Sequence, residues 1–340
     1  MATPDTARPE AGANALDQAW LSLPGRLSRQ SVSRHFDAYA DIDWDSPDMA
    51  LDPEDPRWEL AADDPLGGTA WYRGLPAATR ARLGCELVAS KMKTGLVFES
   101  VLKRGLLEFA STLPNGAPEF RYAYHEIIEE AQHSLMFAEF VNRSGFDAAG
   151  LHPVHRFGSR RIVRLGRRFP QLFFLFVLGG EDPIDYVQRR ELRSGRELHP
   201  LLERIMRIHV TEEARHLSFA RHYLKHTVPG LPRRHRVRLA VAAPLILGTM
   251  AQMMLKPSRQ LVTRYQIPRA VIAEAYTRNP GHRAETAASL SKVRKLCAEL
   301  RLTRAPYRAL WRLLRLEAGT SGAASASGTS SAAGASGTSG

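Results

Sequence analysis

Glu129-Glu130-Ala131-Gln132-His133 and Glu212-Glu213-Ala214-Arg215-His216 are the two stretches whose reading decides the fold. Each holds a Glu-x-x-His inside a long segment with helical periodicity. Residues three apart share a helix face, so each motif sets a carboxylate beside an imidazole. Two such faces, plus one glutamate from each of two other helices, form the inward-pointing donor set of a two-metal site in a helix bundle. The two extra glutamates are present. Glu99 stands in Leu96-Val97-Phe98-Glu99-Ser100-Val101-Leu102, and Glu181 follows the most apolar run of the chain, residues 172–178. A carboxylate among such neighbours must be paired or metal-bound. One motif of this kind is usually a surface pair; the order Glu99, Glu130/His133, Glu181, Glu213/His216 on successive predicted helices is far more specific. Glu86 and Glu108 rival Glu99, and Asp182 rivals Glu181.

His209 lies four residues before Glu213 and seven before His216, so all three share a face and His209 can reach the same metal. A histidine standing behind the ligands, or a core histidine, is the alternative. Glu126, four before Glu130, and Asp185, four after Glu181, read as acceptors that orient the ligand imidazoles or as residues lining a pocket. Glu129 and Glu212 point roughly 100° away from the ligand glutamates and read as solvated, or as paired with arginines such as Arg215. Carboxylates with a few imidazoles and no thiolate make a poor structural zinc site. They suit iron or manganese, which cycle between two oxidation states. Two such metals together bind dioxygen, which makes a redox enzyme the leading reading.

From residue 76 onward the pattern is almost wholly helical, and strand signals are nearly absent. Helices are expected over 77–112, 118–142, 171–193, 199–226, 234–260, 268–277, 283–300 and 305–316, with breaks at Pro114-Asn115-Gly116, Ser144-Gly145, Ser194-Gly195 and Pro229-Gly230. A polar, basic connection is expected from Gly145 to Arg168. Residues 1–75 read as an irregular N-terminal extension with one short helix near 27–39, residues 76–317 as the bundle domain, and residues 318–340, all Ala, Gly, Ser and Thr, as a solvated tail. Hydrophobic residues are 44% of the 340, enough for a sizeable core. Cys85 and Cys297 are the only cysteines and form no CxxC, against a disulfide framework or a Cys-ligated centre. The start lacks the apolar core of a signal peptide. Residues 172–178 are too short to span a bilayer, and 239–255 hold Pro244, Gly248, Thr249 and Gln252, so both read as buried helices without a transmembrane segment. A cytoplasmic protein is expected.

The formal charge of +12, carried mostly by arginine runs at 156–168 and 233–238, suits an acidic partner. Nucleic acid, an acidic electron-transfer protein and an acidic carrier protein are candidates, as is a plain solvated surface. No helix-turn-helix, zinc-finger or RNA-binding signature appears, so no specific nucleic-acid partner is expected.

Phe98-Glu99, Glu129-Glu130-Ala131-Gln132-His133, Gly180-Glu181 and His209-Val210-Thr211-Glu212-Glu213-Ala214-Arg215-His216 resemble the di-iron N-oxygenase family typified by para-aminobenzoate N-oxygenase. The resemblance covers roughly residues 80–300 and includes a late Val293-Arg294-Lys295-Leu296 helix. The histidine one turn before the second Glu-x-x-His separates this family from the related acyl-carrier-protein desaturases and ferritins. The resemblance implies an all-α, ferritin-like helix bundle with extra C-terminal helices. It implies two irons held by Glu99, Glu130, His133, Glu181, His209, Glu213 and His216; a manganese–iron pair is the alternative. It further implies O2 as co-substrate, a peroxo-type diferric intermediate, oxygen insertion into a small molecule (usually an arylamine nitrogen), an external electron donor such as a ferredoxin or reductase, and a homodimer. Hydroxylation or desaturation of a lipid or carrier-bound acyl chain is the alternative at the same site. A basic protein that stores metal or binds nucleic acid is the non-enzymatic one.

Overall fold

The computed structural model describes residues 8–148, 153–314 and 316. Among them are thirteen α-helices and no strand. In chain order these are α1 (Arg8–Ser33), α2 (Ala70–Arg73), α3 (Ala77–Ala110), α4 (Pro118–Arg143), α5 (Pro153–Arg168), α6 (Pro170–Leu192), α7 (Pro200–Thr227), α8 (Arg233–Met254), α9 (Arg259–Arg264), α10 (Arg269–Ile272), α11 (Pro280–Ser289), α12 (Ser291–Glu299) and α13 (Arg308–Leu313). The fold is an all-α helix bundle with additional C-terminal helices. The Ala/Gly/Ser/Thr tail lies outside the described residues.

Local sequence explains the ends of the four long central helices. Pro118, Pro170 and Pro200 each occupy a first-turn position, where a missing N–H costs nothing. Gly145 after α4 and Gly195 after α6 take positive φ values of 67° and 72°, the left-handed stop that a side chain resists. Short loops return the chain, so α3 packs on α4 and α6 on α7, and α4–α7 and α3–α6 contacts close the bundle.

Several boundaries differ from expectation. The N-terminal helix is not short: α1 ends at Ser33 and packs on α4 and α7, burying Trp20, Leu23 and Leu27 in the main core. After it, residues 34–69 carry two short 3-10 turns and bury Trp44 and Trp58 against Phe140 and Ile205. The expected basic connection contains α5. Its Ile162, Val163 and Leu165 pack on the core while Arg160, Arg164, Arg167 and Arg168 face solvent, an amphipathic pattern that the density of arginine obscured. A Cβ on Gly166 would lie 2.0 Å from the Gly105 carbonyl oxygen, so glycine permits α5 to cross α3 closely. The four donor-bearing helices are therefore α3, α4, α6 and α7, not four in succession. The expected 234–260 and 283–300 helices are each split in two. No helix among the described residues is long and apolar enough to cross a membrane.

The floor of the bundle is aromatic. Phe109, Phe174, Phe219 and Tyr223 meet with ring centroids 4.7–6.4 Å apart, mostly edge to face. Phe219 stands one turn beyond His216 on α7, so this layer borders the polar residues described next.

Candidate metal centre

α3 contributes Glu99, α4 Glu130 and His133, α6 Glu181, and α7 His209, Glu213 and His216. All seven are at most 2% exposed. Their donor atoms converge. Glu99/His133/His209, Glu130/His133/Glu213 and Glu181/His209/Glu213 each form a group whose atoms lie within 4.8 Å of one another, and so do Glu126/Glu130/His216. His216 Nδ1 is 3.1 Å from both Glu130 Oε1 and Glu213 Oε1. His133 Nδ1 is 3.3 Å from Glu130 Oε2 and 3.7 Å from Glu213 Oε1. His209 presents Nε2 instead, 3.8 Å from Glu99 and 3.9 Å from Glu213.

The far nitrogen of each imidazole is fixed by a residue outside these seven. His133 Nε2–H donates to Glu212 Oε2 at 3.0 Å, and His216 Nε2–H to Glu129 Oε2 at 2.7 Å. The pattern is crossed: the glutamate preceding Glu130 or Glu213 orients the histidine of the other motif. Arg215 joins the two, donating from Nη2 to Glu129 at 2.8 Å and to Glu212 at 3.4 Å. Pairing with Arg215 is as expected, but solvation is not, because Glu129 and Glu212 are 3% and 0% exposed. Their outward angle on one motif helix carries them into the other. His209 Nδ1–H donates to Gln188 Oε1 at 2.9 Å. The loop after α1 seals this end: Phe36 N–H donates to Glu212 and Ala38 N–H to Gln132.

Glu126 and Asp185 do not orient an imidazole. Asp185 turns to Arg189 at 2.6 Å and Lys292 at 3.6 Å. Glu126 is fully buried with both oxygens unpartnered, and stands within ligand reach of Glu130 and His216. Neither lines the main cavity. The rivals are occupied: Glu86 binds Arg264 at 2.5 Å, Glu108 lies 3.8 Å from Arg167, and Asp182 is bound by Arg221.

Electrostatics mark the cluster as short of positive charge. Burial raises Glu99 and Glu181 well above the usual carboxylate range, helped by the neighbouring Glu130 and Glu213 charges respectively. Burial likewise lifts Glu126 to about 8. Burial opposes charge on His133, but hydrogen bonds to Glu130 and Glu212 outweigh it and raise it to about 9. Burial opposes the ionised Glu129 too, yet His216 and then Arg215 pull it down to about 2. Glu99 Oε2 and Glu213 Oε2 are also buried without a hydrogen-bond partner. Orphaned buried carboxylate oxygens are costly. Divalent cations satisfy them, so the residues present fit a metal centre.

A cavity of about 960 Å³ opens onto one side of this cluster. Glu99, Glu181 and His209 reach its wall together with Phe98 and Phe137, whereas Glu130, His133, Glu213 and His216 lie behind. A Cβ on Gly180 would sit 2.1 Å from the Phe98 ring, so glycine before Glu181 admits that ring beside the site.

The model of a family described as p-aminobenzoate N-oxygenase AurF matches residues 22–301. An uncharacterized protein of Mycobacterium tuberculosis (strain H37Rv) and one of Mycobacterium bovis are each 39% identical over 305 residues, covering 90% of this chain and 90% of the relative. No solved structure matches the chain. The family match runs through all four donor-bearing helices, and the chain belongs to the p-aminobenzoate N-oxygenase AurF family of di-iron, ferritin-like oxygenases.

Proposed function

We propose that this protein uses two irons and O2 to oxygenate an organic substrate held in the cavity. Glu99, Glu130, His133, Glu181, His209, Glu213 and His216 serve as the ligands. The observation that carries the reading is the juxtaposition of buried, under-satisfied carboxylates with an apolar chamber that only Glu99, Glu181 and His209 share.

Iron, when bound, supplies O2 activation. The protein does the rest. Glu212 and Glu129 hold His133 and His216 in the tautomer that leaves Nδ1 free toward the carboxylates, and Gln188 leaves Nε2 of His209 free. Arg215 neutralises the two orienting glutamates without entering the cluster. Burial favours the protonated forms of Glu99 and Glu181, so a bound cation would have to compete with those protons. Phe98 and Phe137 line the wall where substrate meets the site, which keeps it dry and places the reacting atom beside Glu99 and Glu181.

By the description of its family, oxygenation of an amine nitrogen is the first assignment for the reaction. Hydroxylation or desaturation of an acyl chain is the second reading, favoured by the size of the cavity. Insertion of one oxygen atom from O2 requires two external electrons, so an external donor is part of the proposal. The exposed arginines of α5 suit an acidic one. The catalytic unit is proposed to span residues 76–317, with the N-terminal residues sealing it.

The test is single-turnover oxidation. Iron-loaded protein, reduced anaerobically and then mixed with O2, is expected to recolour and to convert a bound amine to its N-oxygenated product. O2 consumption no faster than in a Glu99→Ala, Glu213→Ala variant would overturn the assignment.

A further inference from the structure

The cavity is far larger than a single-ring amine needs. Pockets for drug-sized ligands run from about 300 to 1,000 Å³, and this one, at about 960 Å³, stands at the top of that range. At ~30 Å³ per water, it holds on the order of 30 water molecules; one aromatic ring displaces only a handful. Between the cluster and the mouth the walls are apolar, with Leu87, Val88, Ile184, Val187, Leu202 and Met206. Of the polar side chains there, Thr94 donates to the Ser90 carbonyl and Gln188 holds His209.

Charge returns only at the mouth, and it is unbalanced. Glu59 is bound to Arg80 at 2.8 Å and Glu191 to Arg196 at 3.0 Å. Arg57 is bound to Asp55 at 2.5 Å and Arg190 to Glu285 at 2.9 Å. Asp64 accepts from the backbone N–H groups of Leu66 and Gly67. Among the described residues, Lys91, Lys256 and Arg259 line the mouth without a carboxylate partner, against two acids without a cation partner, Asp63 and Asp64.

We propose that the substrate is an elongated amphipathic anion, whose apolar body fills the chamber and whose acidic head rests on Lys91 and Lys256, so that the end remote from the charge meets Glu99, Glu181 and His209. This rests on the oxygenase reading and narrows it to a substrate class. Burial of the body supplies most of the affinity, since each methylene removed from water contributes about a fourfold gain. The exposed cations supply less, because ion pairs in water are weak; they set which end enters first.

Calorimetric titration of the iron-loaded protein tests this with decanoate, dodecanoate and tetradecanoate, set against 4-aminobenzoate, dodecanol and dodecyltrimethylammonium. The expected result is a dissociation constant falling about fourfold per methylene. Dodecanoate should bind more tightly than 4-aminobenzoate and the cationic probe. Lys91→Gln with Lys256→Gln should weaken dodecanoate about fivefold and leave dodecanol unchanged. A flat chain-length series, 4-aminobenzoate binding as tightly as dodecanoate, or indifference of dodecanoate to the double substitution would overturn the proposal. Iron content measured on the same samples separates the two readings. Chain-length dependence in a protein that takes up no iron sinks the oxygenase reading alone, and two irons with a flat series sinks the substrate class alone.

Discussion

Arg215 is the residue whose removal says most about how the centre is built. Its side chain is 7% exposed, and one nitrogen, Nη2, serves two buried carboxylates, Glu129 and Glu212. Those carboxylates hold the outer nitrogens of His216 and His133. Arg215→Met keeps the apolar stem and deletes the charge. Two buried negative groups are then left facing each other, and breaking a buried pair in this way costs about 3–5 kcal/mol. At about 2–4 °C per kcal/mol, the melting temperature should fall by about 10 °C. Glu129 and Glu212 would also relax, freeing both imidazoles to rotate, and loss of such support typically lowers metal affinity about 10–100-fold. Arg215→Lys keeps a charge but not the planar fork, so its effect should lie between. Differential scanning fluorimetry and competitive iron titration against a chelator measure the two effects. A variant that melts within about 2 °C of the parent and binds iron equally well would refute the bridging role.

Gly180→Ala should force the Phe98 ring, 2.1 Å from the new Cβ, into the cavity, destabilise by about 1–3 kcal/mol in urea denaturation and lower substrate affinity; an unchanged denaturation midpoint would argue against the close approach. In metal-free protein, burial raises Glu126 from 4.5 to about 8 and the net of its contacts raises His133 from 6.5 to about 9. The folded chain therefore holds more protons than the unfolded one, so stability falls as pH rises from 5 to 9 (about that window) and iron loading removes most of the fall; a metal-free melting temperature that climbs with pH would contradict this. Burial pushes the Cys85 and Cys297 thiols to about 12, so iodoacetamide at about pH 8 should label neither until the chain is denatured; labelling of native protein would show that one of them is open.

The convergence of these side chains was readable because helical spacing is rigid: three- and four-residue intervals put Glu130 with His133, and His209 with Glu213 and His216, on common faces whatever surrounds them. Burial of Glu99 and Glu181 was readable from their apolar neighbours. What the spacing did not disclose was everything that depends on another helix. Glu129 and Glu212 leave their own motif's face, and only the crossing of α4 and α7 shows that each meets the other motif's histidine. A doubled Glu-Glu before both motifs was the available signal. Asp185 failed as an orienting acceptor because Arg189, one turn on, and Lys292, on α12, compete for it. Gln188 had no signal at all, since its role depends on where α6 faces α7. The arginine-rich stretch before Pro170 hid a helix because only a narrow apolar stripe, Ile162, Val163 and Leu165, records it. The cavity arises from α3, α6, α7, the segment at 57–64 and residues 253–260, and no local pattern encodes its volume.

Diffraction data collected on either side of the iron absorption edge, from crystals of protein expressed with supplied iron, test the central claim most directly. The expected result is two anomalous peaks enclosed by Glu99, Glu130, His133, Glu181, His209, Glu213 and His216, on the cavity side of Arg215. A single peak, peaks elsewhere on the chain, or a cluster free of anomalous density after full iron loading would contradict it.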